Sequence, residues 1–310
     1  MATQLINDSH YLRDAVGDRL RQPDVYTAND EPAGQNNVWV KALGAWGKTD
    51  TGSSYANYTT SLSGLLAGVD GLISEASRLG IFTGYSNSAL NMGGGTHSSA
   101  STNSYHLGTY LGHEAGALRL SVGGSYSWSR IDVKRDVQFA DIDAKQKTKR
   151  DAKTGQIFTE AAYHVELQPM ALEPFANLAY VNVRSDRFHE KGGVAALTGN
   201  SDTREAVLTT LGVRAAKTLT LNANQQIDLS GHLGWQHNLN PVHSKQDLSF
   251  VSGNTDFSVQ SVSLARNTAV VGARVGVKLG QATRVDLDYN GHLNSKENTH
   301  GVGLNLSWQF

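Results

Sequence analysis

Hydrophobic and polar positions along this chain fall into two regimes. Residues Leu5 to Gln22 contain no proline, and Leu5, Leu12, Val16 and Leu20 fall near one face at helical spacing. Arg13, Asp14, Asp18, Arg19 and Arg21 occupy the remaining surface. The segment reads as one amphipathic helix, about 27 Å long at the usual rise per residue. Asn7, Asp8 or Ser9 can each cap its start. Pro23 and Pro32 bracket a polar stretch, Asp24 to Asn37, which cannot continue the helix and reads as a linker.

From Val38 onward the period is two. Val38, Val40, Ala42, Gly44 and Trp46 alternate with Trp39, Lys41, Leu43 and Ala45. The same alternation recurs around Leu65 to Asp70, Arg78 to Tyr85, Tyr105 to Gly112 and Leu118 to Trp128. Further strands are expected over Gln156 to Glu166, Ala171 to Val183, Glu205 to Lys217, Gln226 to His237, Asn267 to Leu279, Thr283 to Leu293 and Gly301 to Phe310. That makes twelve, with Asp247 to Val262 open to hiding another. Pro174 lies inside one of these strands, where it cannot donate to the ladder. The connections alternate long and short. Long ones fall at Thr49 to Thr60, Asn87 to Asn103, Ile131 to Gly155, Arg184 to Arg204 and Asn238 to Arg266, with brief turns between. That rhythm belongs to an up-and-down antiparallel barrel with a loop end and a turn end.

Composition decides which side of such a barrel is wet. Only 39% of residues are apolar and the mean hydropathy is −0.36, and no apolar run reaches the ~18 to 20 residues of a spanning helix. There are 32 Gly and 11 Tyr but 5 Pro and no Cys. In a soluble barrel the charges would point outward; in an outer-membrane barrel the apolar band does, and the lumen is polar. The strands here run about ten to thirteen residues, enough to cross a bilayer at a tilt. Trp46, Tyr85, Tyr105, Trp128, Tyr289 and Trp308 fit aromatic girdles. The second face is rich in Gly and Ser and carries both charge signs. Lys41, Asp70, Arg78, Arg119, Glu160, Glu173, Arg214, Asp228, Arg274, Lys278, Arg284 and Asp286 are placed there, lining a lumen in which they neutralise one another. The small residues beside them leave room for a helix or a passing chain. A twelve-stranded transmembrane β-barrel, with the N-terminal helix inside its pore, is the expected fold, split into residues 1–37 (pore helix and linker) and 38–310 (barrel).

These residues resemble a known family. The helix with Leu12-Arg13-Asp14 and Gly17-Asp18-Arg19-Leu20-Arg21 leads through a linker to Val38-Trp39-Val40-Lys41-Ala42-Leu43-Gly44-Ala45-Trp46-Gly47. Gly68-Val69-Asp70, Leu172-Glu173-Pro174-Phe175, Gly234-Trp235-Gln236-His237 and the terminal alternation ending in Phe310 follow in order. Together they resemble the translocator (β) domains of autotransporters, the type V secreted proteins of Gram-negative bacteria. The resemblance implies a monomer in the bacterial outer membrane, with long loops extracellular and both ends of the barrel chain periplasmic. Its partners would be an N-terminal passenger that it helps to export, the lipid bilayer and the outer-membrane assembly machinery, which reads Trp308 and Phe310. No signal peptide is visible at the start, so a longer precursor is expected. Some members cleave themselves in the pore helix by cyclisation of an Asn promoted by luminal acids. Asn7-Asp8 is the nearest candidate here, but the Asn-Asn pair of those members is absent from the helix, and Asn36-Asn37 lies in the linker. A helix-capping role for Asn7 or Asp8 is the preferred reading.

Other functions find less support. The net charge of −1 argues against a nucleic-acid partner. No Gly-x-Ser-x-Gly elbow, His-Glu-x-x-His or Walker loop is present, so no catalytic residues, cofactor or metal are assigned. His106, His232 and His292 read as hydrogen-bonded luminal residues, and the basic and acidic run Ile131 to Gly155 as a solvated loop. A free-standing channel for small solutes is the main alternative, and a barrel hydrolase the lesser one.

Overall fold

The structure is a computed structural model describing residues 1–22, 36–49, 57–93, 98–139, 142–193, 195–222, 225–240, 245–253, 256–260, 262–279 and 282–310. Most of the expected linker, 23–35, lies outside the described residues. Twelve long strands follow an N-terminal helix: β1 Asn37–Thr49, β2 Tyr58–Ser74, β3 Ser77–Met92, β4 Ser99–Ala115, β5 Leu118–Phe139, β6 Ile142–Tyr163, β7 Met170–Ser185, β8 Asp202–Asn222, β9 Gln225–Asn238, β10 Asn267–Leu279, β11 Thr283–Leu293 and β12 Glu297–Gln309. Each pairs antiparallel with its sequence neighbours, and β1 pairs with β12 from Asn37↔Gln309 to Thr49↔Glu297. The sheet is therefore closed and its backbone groups are paired within it, as a bilayer interior requires. The twelve strands read from the alternation are the twelve strands of this barrel.

Side-chain direction follows the alternation. Leu107, Leu233, Leu287 and Leu304 are each more than half exposed on the outside, whereas Trp39, Lys41, Leu66, Asp70 and Arg78 point inward and are buried. In water such an outer surface would leave a large apolar area uncovered; in lipid it is the expected face. Trp46, Tyr85, Tyr105, Trp128 and Trp235 stand on the outer face toward the long-loop end. Tyr163, Trp308 and Phe310 stand near the turn end.

The lumen holds the helix, which comprises α1 (Ala2–Asp8) and α2 (His10–Leu20), joined through Ser9. Ser9 keeps helical dihedrals (φ −62°, ψ −23°) and its N–H reaches the Leu5 carbonyl at 3.1 Å, while its hydroxyl donates to the Ile6 carbonyl at 2.7 Å. A serine that bonds back onto the preceding turn bends a helix without ending it. The helix thus begins before Leu5, and Asn7 and Asp8 lie inside its first segment; neither caps it. No side chain caps either segment. Leu5, Ile6, Leu12, Ala15, Val16 and Leu20 are all buried and share one cluster with Ile131, Phe158, Val181, Val183 and Leu208 of the wall. The same cluster takes in Trp39, Leu66, Phe82 and Tyr110 of β1 to β4, so the apolar residues of the helix join those of the wall from β1 to β8.

Four expectations change. The run Ile131 to Gly155 is no solvated loop: β5 and β6 continue through it as a ladder down to Phe139↔Ile142. Alternation within it is weak because polar residues occupy both faces beyond the membrane zone. Lys245–Phe250 and Asp256–Gln260, in the ambiguous region, form a hairpin that joins Leu197–Gly199 and Phe188–His189 in a separate four-stranded sheet, outside the barrel. Pro174 is tolerated because β7 pairs with β6 only as far as Phe175, so the proline sits where the strand has one neighbour. Finally, several inward glycines are not free space. A Cβ on Gly80 would lie 2.2 Å from Tyr110 Cζ, and one on Gly68 would lie 2.5 Å from Trp39 Cε2. Wall aromatics lie flat across these positions, so their rings, and not the helix, use the space.

This packing predicts a contrast between two glycines. Gly80→Val should displace the Tyr110 ring and lower stability by about 1 to 3 kcal/mol, the usual cost of overpacking. Gly44→Val, on a position with nothing within 4 Å of the added Cβ, should leave the melting temperature of the detergent-solubilised barrel almost unchanged. Equal effects would show that the ring contact carries no weight.

Candidate functional site

The contact between helix and wall is the place where function is built. At the turn end, the carboxylate of Asp70 on β2 is fully enclosed. It accepts from Arg19 Nε at 2.7 Å and Nη2 at 2.9 Å, from Arg78 Nη1 at 2.5 Å and from the Tyr110 hydroxyl at 2.7 Å. Trp39 Nε1 donates to the same hydroxyl at 2.8 Å. A carboxylate buried without partners would cost several kcal/mol, so this degree of pairing is what makes the position tolerable. Arg19 also donates to Gln22. Gln22 Nε2 in turn donates to Asp286 at 2.8 Å, and Asp286 accepts from Arg284 Nε at 2.9 Å. Arg284 reaches Asp228 at 2.6 Å. One chain of charge-assisted bonds thus runs from β2, β3 and β4 through the helix end to β11 and β9.

A second group uses the interleaved residues Asp18 and Arg21 of the same helical turn. Asp18 takes Arg21 at 2.9 Å and Lys41 at 2.7 Å, and Lys41 also reaches Asp288 at 2.7 Å. Arg274 Nη1 donates to the Asp18 carbonyl at 2.9 Å. Arg21 faces Glu160 at 3.6 Å. Arg214 bridges Glu160 (2.7 Å) and Glu173 (2.9 Å) while its guanidinium stacks 3.7 Å from the Phe175 ring centroid. Arg119 completes this group by reaching Glu173 at 3.0 Å. Lys278 stands opposite Arg284 in the β10–β11 register.

Toward the long-loop end the contacts become single hydrogen bonds. Arg13 donates to Gln156 at 2.8 Å, Asn7 Nδ2 to Glu297 at 2.6 Å and the Thr3 hydroxyl to the Val262 carbonyl at 2.9 Å. Two cavities along the helix are small, about 60 to 70 Å³, whereas a space of about 310 Å³ lies beside Met1 to Gln4 and a vestibule of about 740 Å³ opens beneath Leu20, Arg21 and Gln22. The helix therefore fills the middle of the lumen, leaving the larger spaces at its two ends. His106 is satisfied by two hydroxyls, Ser127 at 2.7 Å and Ser86 at 2.9 Å.

Eleven of the charges read from the sequence thus meet oppositely charged or polar partners here. The reading missed what they meet. Asp18, Arg21, Gln22, Asp288, Glu297 and Tyr110 join the network from positions far apart in sequence. The inward parity of Tyr110 and Asp288 is visible in the alternation, but nothing in the sequence sets the depth at which each partner lies. Phe310 and Trp308 lie outside this network, exposed at the end of the last strand, with the Phe310 N–H donating to the Asn36 carbonyl at 3.0 Å.

Comparison with known proteins agrees with this architecture. A family model described as the autotransporter beta-domain matches residues 38–290. An extracellular serine protease of Serratia marcescens is 39% identical over 311 residues, covering all of this chain and 30% of the relative. The chain thus spans less than a third of that protein. Among solved structures, the translocator domain of the autotransporter NalP from Neisseria meningitidis superposes with a TM-score of 0.72 at 18% identity, covering 98% of each chain. The beta domain of the Bordetella autotransporter BrkA gives 0.65 at 16% identity, covering 89% of this chain and all of that one. A closed twelve-stranded barrel, a helix clamped in its lumen and a family match across most of its strands lead to one conclusion: this chain belongs to the autotransporter beta-domain family, whose barrels insert in the outer membrane.

Proposed function

We propose that the chain is the membrane-embedded translocator of a longer protein, and that it anchors and helps to export a passenger preceding Met1. The observation that carries this reading is the direction and grip of the helix. Its C-terminal end is clamped to the wall by Asp70 and Asp286, while its N-terminal end points out among the long loops. A segment preceding Met1 would leave the barrel on that side. In this reading the long loops are extracellular and Asn37 and Phe310 are periplasmic. Residues 1–37 serve as the tether and 38–310 as the anchor, and the barrel works as a monomer. Trp308 and Phe310 present an exposed aromatic pair at the final strand for the assembly machinery. A plugged lumen fits a conduit closed after use better than a standing channel for small solutes.

We also infer that the helix stays intact. Cyclisation at Asn7 needs its Nδ2 at its own carbonyl carbon, but Nδ2 is engaged with Glu297 at 2.6 Å and the backbone is helical. Mass spectrometry of the folded chain should show one intact species; fragments ending at Asn7 would overturn this.

Two further measurements bear on the reading. A reporter fused before Met1 should reach the cell surface in cells whose barrel is correctly inserted, and its retention inside would refute the translocator role. In planar bilayers the intact chain should conduct poorly. Asp70→Asn removes the charge that holds Arg19 and Arg78, at a cost of about 3 to 5 kcal/mol for a broken buried pair. It should raise the frequency of large openings toward that of a chain lacking residues 1–20. Unchanged conductance in both would show that the helix is not the plug.

A further inference from the structure

Midway along the helix, a set of donors differs in kind from the ion pairs below it. His10 and Asp14 are one turn apart on the same helical face, with His10 Nδ1 2.8 Å from Asp14 Oδ2. The imidazole of His292, on β11, stacks on that of His10 with centroids 3.9 Å apart and an interplanar angle of 18°. The ligand-type atoms of His10, Asp14 and His292 all lie within 4.8 Å of one another. His232, on β9, lines the same cavity of about 70 Å³ as these three.

An ordinary His–Asp ion pair along the helix accounts for His10 and Asp14. It does not involve the two half-buried wall imidazoles: His292 meets the set through its stacking on His10, and the His232 ring lies across Gly272 with an edge in the same cavity. The neighbouring cation does not occupy the space, since Arg13 is turned onto Ser9 and Gln156.

The geometry points to a divalent transition-metal site in which His10, Asp14 and His292 are ligands and His232 or a water takes the fourth position. Nitrogen donors with one carboxylate suit zinc-class ions and not Mg²⁺, which prefers an all-oxygen shell. Tetrahedral zinc at its usual bond lengths places neighbouring donor atoms about 3.4 Å apart, so closing the set requires side-chain rotation that unstacks the His10 and His292 rings, whose in-plane lone pairs do not converge while the rings lie parallel. Two ligands come from the helix and the rest from the wall. The ion can therefore bind fully only when the helix is seated, and its binding favours the plugged barrel. It would act as a pin at mid-height, where the charge clamps of the turn end do not reach.

The test uses the full chain without an affinity tag, folded in detergent, titrated with Zn²⁺ by calorimetry and followed by thermal melting. Expected are one Zn²⁺ per chain, no competition from Mg²⁺, and a higher melting temperature with Zn²⁺ that a chelator reverses. His292→Gln on the wall and His10→Gln on the helix should each weaken binding by at least about tenfold and abolish the thermal shift. Two single variants are used so that a folding defect in one leaves the other informative, and heat-modifiable electrophoretic mobility reports a folded barrel in each. The inference is overturned if Zn²⁺ binds the wild type no better than the His10→Gln/His292→Gln double variant, or if Mg²⁺ competes equally.

Discussion

The enclosed carboxylate of Asp70 is the point on which the interior depends. A barrel that meets lipid outside must carry its polar side chains inside, and a lumen too narrow for bulk water cannot solvate them. Asp70 is held by two arginines and a tyrosine, one of the arginines supplied by the helix. Helix and wall are therefore electrostatically incomplete without each other. Removing the helix would leave Asp70 with Arg78 and Tyr110, take Gln22 from Asp286, and leave Lys41 with Asp288 but without Asp18.

The apolar half of the same interface does the opposite work. Leu12, Val16 and Leu20 share one apolar cluster with the wall, a contact without direction that tolerates rotation and sliding. Position along the pore is set by the charged bonds, whose geometry is narrow. The wall supports them in turn: Tyr110 can reach Asp70 because Gly80 lets its ring lie against the strand, and Trp39 can reach Tyr110 across Gly68. Backbone composition, ring packing and ion pairing thus form one unit at the turn end. At the other end the helix is held by scattered hydrogen bonds, and a separate small sheet lies beyond the membrane zone.

The alternation of the chain made the barrel legible. Inward parity alone placed Lys41, Asp70, Arg78, Glu173, Arg284 and Asp286 on the buried face, because a period of two leaves no choice once the outer face is apolar. Depth was not legible. That Arg19 lies level with Asp70, or His10 with His292, follows from the stagger of twelve strands and the height of the helix, which no local pattern encodes. Where polarity loses its period, as from Ile131 to Gly155, the pattern resembles a loop although the ladder continues. The helix start was misplaced because Asn7, Asp8 and Ser9 have capping chemistry in sequence. In the structure Asn7 bonds to Glu297 and Asp8 accepts from Gln4 Nε2 at 2.7 Å.

The helix end is seated against the wall at a defined depth. The chain has no cysteine, so a single pair can be introduced without competition. Gln22 and Ser307 face each other at 3.5 Å across the helix–wall contact. In cells, Gln22→Cys/Ser307→Cys treated with a short bifunctional thiol reagent should form an intramolecular link in the folded barrel. A pair moving position 307 to the outward neighbour, Trp308→Cys, should not. Failure of the first pair to link, or equal linking of both, would contradict the seated helix.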